Sequence, residues 1–336
     1  MKALICNRPG QLALIDRPEP ARAPDEVLVR IRHVGICGTD FHIFGGKHPF
    51  LEYPRVMGHE LSGIVQAAPP DSGLKPGDPV YVVPYLSCGQ CHACGLGLTN
   101  ACCNIQVLGV HRDGGMAELI SVPARNLVPT GGIALDDAAM IEFLAIGAHG
   151  VKRGQIAARD RVLITGAGPI GMSAAIFARA RGAEVTVMDM RRDRLDFARD
   201  SLGAAAVLLA DGDAEAEAAR LTGGAFFDVV IDATGAAAPI ERGFGFLAHG
   251  ARYVLLSVVR QEIRFSDPEF HKREATLIAS RNAQPDDFAE VVARMRAGQV
   301  PTRALNTHRG PLTDGVALFQ DWSRPEAGVI KAILDL

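Results

Sequence analysis

Four cysteines, Cys88, Cys91, Cys94 and Cys102, follow one another at spacings of two, two and seven residues. Thiolates so spaced can fold around one tetrahedral zinc and leave no position for water, which makes such a site structural. Gly89, Gly95 and Gly97 supply the tight turns a short chelating loop needs. Cys103 offers itself as an alternative to Cys102, although the spacing favours Cys102. His92, inside the loop, is expected to face solvent. Five of the seven cysteines of the chain fall in this stretch. In a reducing compartment such a cluster reads as a metal site rather than a disulfide framework.

A second set of ligand-type residues is dispersed. GICGTDFH carries Cys37, Thr39, Asp40 and His42; VMGHE carries His59 and Glu60; IEFLAIGAHG carries Glu142. Each fragment alone says little, since a lone cysteine is usually a small buried hydrophobe. Together they supply one thiolate, one imidazole and one or two carboxylates. Three such ligands and an open position make a catalytic zinc.

A third signal is Gly166-Ala-Gly168-Pro169-Ile170-Gly171. It follows the apolar run DRVLITG and opens a helical stretch, and Asp189 ends the next predicted strand. That context marks a dinucleotide fingerprint. The first glycine permits the turn, the second lets backbone approach a pyrophosphate, and the third lets helix and strand pack closely. The helix N-terminus offers amide donors and partial positive charge. A carboxylate at Asp189 suits the ribose hydroxyls of NAD and repels the extra phosphate of NADP. Arg191 and Arg192 are read as a solvated helix face.

These residues need two kinds of scaffold. From residue 1 to about 146, short alternating runs such as EVLVRIRHVG, LSGIVQA, PVYVVP and MAELISV read as antiparallel strands. From about 150 the pattern becomes strand, helix, strand: 160–166, a helix over 169–183, 184–189, a helix from RRDRLDFARD, AAVLLA, 228–235, a helix to His249, 252–258 and 276–281. Such crossovers mean a parallel sheet. PDDFAEVVARMRAGQV reads as an amphipathic helix, and VIKAILDL as a strand returning to the first domain. The fold class is α/β, with a β domain and a doubly wound parallel-sheet domain.

The formal net charge of −3, with both signs mixed along the chain, builds no basic face for nucleic acid. No apolar run reaches the ~20 residues of a membrane span. MKALICNRPG reads as strand and turn rather than a secretion signal, so the expected address is cytoplasmic.

The set GICGTDxH, GHE, CxxCxxCx7C, GAGPIG and DATG, in this order and over nearly the whole chain, resembles the zinc-dependent medium-chain dehydrogenases. The resemblance implies a GroES-like catalytic domain from 1–146 and 282–336, and a Rossmann NAD-binding domain from 147–281. It implies two zinc ions per chain. Cys37, His59 and Glu142 match catalytic ligands, with Glu142 replacing a third cysteine as in the sorbitol and threonine dehydrogenase branch. Glu60 matches a carboxylate that ligates in some relatives and stands behind the ligands in others. Thr39 and His42 match the two ends of a proton relay. Arg194 and Thr234 match the nucleotide side. Phe143 departs from the branch, which commonly has proline there.

The implied activity is hydride transfer between a secondary alcohol and NAD, with zinc as Lewis acid on the alcohol. FLEYPRVMGHE, THR at 307–309 and FSDPEFHKREATLIASRN resemble a bacterial subgroup that includes L-galactonate 5-dehydrogenase and starvation-sensing proteins. That implies a sugar acid substrate; a neutral polyol or an amino alcohol is the alternative. Arg281 is a candidate for cofactor phosphate or substrate carboxylate, with His271, Lys272, Arg273 and His308 as further basic residues. A non-catalytic zinc and nucleotide binder is the alternative from another class. A homodimer or homotetramer is expected.

Overall fold

A computed structural model of the chain describes residues 1–47 and 51–336. Phe50, which opens the FLEYPRVMGHE stretch, lies outside the described residues. The chain divides into two compact units. One comprises Met1–Glu142 with Val292–Leu336, the other Phe143–Val291. Among the described residues no helix is long and apolar enough to cross a membrane.

The first unit is built around the strand Glu26–Ile36. Its period-two pattern buries Val27, Val29 and Ile31. Three strands pair with it antiparallel: Glu60–Ala67, Leu119–Pro123 and the C-terminal strand Lys331–Asp335. The tail therefore does return to the first unit. The core draws on the chain from Leu4 through Val65 to Phe319 and Leu334. Register places Gly35 opposite Glu60 on one side, and Ile36 opposite Ala332 on the other. The two flanking strands thus bring Glu60 and Lys331 to the same end of the central strand. There the chain turns at Cys37 into the helix Gly38–Phe44.

The second unit is a six-stranded parallel sheet. Its order is Ala206–Leu209, Glu184–Asp189, Arg161–Thr165, Phe227–Asp232, Leu247–Leu255, Thr276–Ala279. Numbered along the unit this is 3-2-1-4-5-6, the doubly wound nucleotide order whose ligands sit where the winding reverses, between strands 1 and 4. The strands are apolar runs because both faces are covered, and Val162, Leu163, Ile164, Val229, Val230 and Ile231 are all buried.

Two elements differ from expectation. The helix expected to reach His249 stops early: Ala237–Gly243 and one 3-10 turn, Phe244–Phe246, give way to the strand Leu247–Leu255. Gly243 and Gly245 weaken the helix, and Gly250 holds φ +77° within the strand. Conversely, an α-helix, Ile141–Arg153, crosses the point where the β pattern was expected to end. Phe143, without the ring of a proline, continues that helix with its backbone N–H intact.

The glycine loop shows how closely this unit packs. A Cβ on Gly171 would lie 1.8 Å from the carbonyl oxygen of Gly166, and one on Gly166 would lie 2.8 Å from that of Ala233. Backbone cannot yield as a flexible side chain can. Gly171→Ala is expected to cost about 1–3 kcal/mol, as overpacking does. A urea-unfolding midpoint equal to that of the parent would refute this.

Candidate active site

Cys37 caps the helix Gly38–Phe44 without regular helical geometry, which leaves its thiol beside the sheet end. Asp40, fully buried, braces this turn. Its carboxylate accepts the Cys37 N–H at 2.9 Å and the Gly58 N–H at 3.3 Å. It thereby ties the cysteine turn to the GHE segment. The ligand atoms of Cys37, His59 and Glu60 lie within 4.8 Å of one another. His59 Nδ1 is buried without a hydrogen-bond partner among the described residues, and Asp40 Oδ1 stands 3.9 Å away.

Glu60 is held from the opposite side. Lys331 Nζ lies 2.7 Å from both carboxylate oxygens and donates also to the Ile36 carbonyl at 3.0 Å, with both side chains fully buried. The pair meets over Gly35. A Cβ there would stand 2.2 Å from Glu60 Oε2, so only glycine leaves the space. Glu142, in the first turn of Ile141–Arg153, stands outside the three-residue group. It is buried, and its Oε1 accepts a hydrogen bond from the Tyr85 hydroxyl.

The electrostatics point one way. Burial opposes a charge on His59, but Asp40, Cys37 and Glu142 together raise its pKa well above the usual value. Burial pushes the carboxyl of Glu142 up, against the pull of His59. Burial likewise pushes Asp40 up, again against His59. A dry pocket with one thiol, one imidazole and several carboxyl groups, offset by a single lysine on Glu60, suits a divalent cation.

The four thiols form a second group. Cys88, Cys91, Cys94 and Cys102 have sulfurs within 4.8 Å of one another, and Cys103, exposed, is outside it. Hydrogen bonds from the backbone of Cys94 and Cys103 pull the Cys91 thiol down to about 5, whereas burial and the contact with Cys91 push the Cys94 thiol up to about 12. Crowded thiols cannot all ionise alone, and a bound zinc would hold all four as thiolates. His92 is exposed, as expected.

Thr39 and His42 lie three residues apart on the helix Gly38–Phe44, so they share a face. His42 is exposed. Partial loss of hydration, then the charge of Lys47, lowers its pKa.

In the second unit Gly166, at φ +93°, ends strand 1, and Gly168 caps the helix Pro169–Ala180, with Pro169 and Ile170 in its first turn. Unlike its neighbours, Gly168 has no atom within 4 Å of where a Cβ would be. Its bareness serves no packing need and leaves room for a ligand's phosphates over the helix N-terminus. Asp189 ends the neighbouring strand. Its carboxylate accepts the Ala167 N–H at 2.6 Å and the Arg191 N–H at 2.9 Å. Arg191 pairs with Asp193 at 2.6 Å. Burial lowers the pKa of Arg194, which also feels Arg191 and Asp189. Thr234 donates to Asp232 at 2.6 Å, and this buried carboxylate also accepts from Thr165 and Ser257. Asp232 thereby joins the ends of strands 1, 4 and 5 beside the switch point. Arg281 is exposed beyond the outermost strand, two strand widths from that point, roughly 10 Å.

Sequence reasoning did not single out Lys331, Tyr85, Gly35 or Asp232. One lysine inside the apolar run VIKAILDL was the available signal for Lys331. Nothing comparable marked Tyr85.

The chain is similar to known proteins along most of its length. The family described as alcohol dehydrogenase GroES-like domain matches residues 23–132, and that described as zinc-binding dehydrogenase matches residues 169–297. L-galactonate-5-dehydrogenase of Escherichia coli (strain K12) is 43% identical, over 93% of this chain and 92% of the relative. Sorbitol dehydrogenase of Halalkalibacterium halodurans is 30% identical, over 99% of each. A crystal structure of a short chain alcohol dehydrogenase (rspB) from E. coli CFT073, complexed with NADH, has a TM-score of 0.93 at 30% identity. It covers 100% of this chain and 99% of that one.

Removing the lysine would strand the Glu60 charge. Lys331→Met is expected to lower stability by about 3–5 kcal/mol, the cost of breaking a buried ion pair from one side. The double variant Lys331→Met with Glu60→Leu should recover most of that loss. Urea unfolding of the three proteins measures it; a single variant as stable as the parent would contradict the pairing.

Proposed function

The chain belongs to the zinc-dependent medium-chain dehydrogenases, and from that premise we propose that it oxidises a secondary alcohol of a sugar acid to the ketone with NAD. The observation that carries the chemistry is the meeting of Cys37, His59 and Glu60, whose ligand atoms lie within 4.8 Å of one another, with the buried Glu142 close enough to act on the His59 charge. The sugar-acid substrate rests on the likeness to L-galactonate-5-dehydrogenase, which is stronger than that to sorbitol dehydrogenase.

Cys37, His59 and Glu142 would hold the catalytic zinc, with Glu60 kept behind them by Lys331. Cys88, Cys91, Cys94 and Cys102 would hold the structural one. Zinc at the open site supplies Lewis acidity toward an alcohol oxygen, and NAD supplies the hydride acceptor. The remaining work falls to this chain. The Thr39 hydroxyl accepts the proton that the substrate hydroxyl gives up, and the His42 imidazole, open to water, delivers it to solvent. Gly168 and the helix beginning at Pro169 receive the pyrophosphate. Asp189 accepts from the ribose hydroxyls. It disfavours a phosphate there by on the order of 1–4 kcal/mol, the repulsion of like charges a few Å apart near a surface. Arg194, Thr234 and Arg281 complete the nucleotide side. We assign 1–146 with 282–336 to the zinc-holding domain and 147–281 to the nucleotide domain. We place the enzyme in the cytoplasm as a homodimer or homotetramer.

A spectrophotometric screen of aldonates against neutral polyols, with NAD and NADP at equal concentration, tests the substrate. L-galactonate and related aldonates with NAD are expected to give the highest kcat/KM. A strict preference for sorbitol-like polyols would overturn the sugar-acid reading, and a preference for NADP the role of Asp189. Bound metal of one zinc per chain with no turnover would favour a non-catalytic binder.

The relay predicts a pH effect. A histidine with lowered pKa stays neutral into mildly acidic solution, so the acid limb of kcat should lie below about 6.5, the ordinary histidine value. His42→Ala should remove that limb and lower kcat at neutral pH roughly 10–100-fold, at or under the low end of general acid–base contributions because water reaches the ring. An unchanged profile would remove His42 from the relay.

A further inference from the structure

Tyr85 lies on the short strand Tyr85–Leu86, three residues before Cys88. It pairs with Gln106–Val107 on the far side of the four-thiol loop, so the phenol and the closed metal loop belong to one hairpin. Its backbone is fixed as well. Asn126 Nδ2 donates to the carbonyl oxygens of Tyr85 at 3.0 Å and Val83 at 2.8 Å. From this anchored position the hydroxyl donates to Oε1 of Glu142, with Tyr85 9% and Glu142 6% exposed.

The two carboxylates of the site are therefore restrained differently. Glu60 has both oxygens on a lysine. Glu142 has one oxygen on a neutral donor, which leaves its charge in place and its other oxygen, Oε2, available. A carboxylate can ligate a divalent ion through one oxygen or through both. Two-oxygen ligation would fill the position a substrate needs. A hydrogen bond on Oε1 occupies that atom and weakens it as a ligand.

We infer that Tyr85 is a positioning residue that confines Glu142 to one-oxygen ligation and so keeps the substrate position of the metal open. This rests on the reading of Glu142 as the third ligand. It also gives the four-thiol loop a part in the chemistry, since that loop anchors the hairpin from which the phenol reaches.

The test is Tyr85→Phe in the full-length enzyme with Co(II) in place of zinc at the open site. The visible d–d absorption is expected to weaken, as it does when a four-coordinate Co(II) centre gains a fifth ligand. Release of that ion to a chelator should slow, and kcat should fall by roughly tenfold, the lower end of what partners of metal ligands contribute to activity. The melting temperature and the structural zinc should stay as in the parent. A parental spectrum and release rate in Tyr85→Phe would overturn the inference, whatever the activity. Glu142→Ala that still binds two metal ions per chain would instead overturn the ligand assignment beneath it.

Discussion

Buried negative charge at one end of a β-sheet is the constraint around which the first unit is arranged. The carboxyl groups of Asp40, Glu60 and Glu142 are buried there beside the half-buried Cys37, and unpaired charge out of water is expensive. Each is met by a specific device. Asp40 takes two backbone N–H groups, Glu60 takes a lysine, and Glu142 takes a phenol. His59, surrounded by these acids, is drawn toward the cationic form. A divalent cation held among these groups would relieve the same surplus.

The devices come from distant parts of the chain because sheet register delivers them. Glu60 and Lys331 stand on opposite neighbours of one strand and reach each other only because Gly35, between them, has no side chain. The C-terminal strand is thus part of the site as well as of the core. In the second unit the same economy of backbone appears in another form. Gly166 and Gly171 are bare so that chain can pack on chain, whereas Gly168 is bare with nothing to pack against. The distinction separates the glycines that build the loop from the one that leaves room for a ligand.

The parts of the fold legible in the sequence were those with strong period and punctuation. The parallel strands of the second unit are mostly continuous apolar runs bounded by glycine and charge, and apart from the early start of Leu247–Leu255 they stand where the pattern puts them. The helix expected to extend to His249 was misjudged because alanine- and phenylalanine-rich sequence suits helix and buried strand alike; glycines at 243, 245 and 250 decided for the strand. The helix Ile141–Arg153 was missed although its apolar residues keep helical spacing, because Gly147 and Gly150 interrupt it.

By itself, the sequence determined the chemistry on offer. The thiol spacing, the glycine fingerprint with Asp189, and the cysteine, histidine and glutamates of the dispersed motifs are local or type-specific, and local geometry is what sequence encodes most directly. Tertiary structure alone decided which groups restrain them: Lys331 on Glu60, Tyr85 on Glu142, and Asp232 across three strand ends. Those are contacts between residues far apart in sequence. They are fixed by register and by the absence of a side chain at one glycine, and neither is visible until the strands are paired.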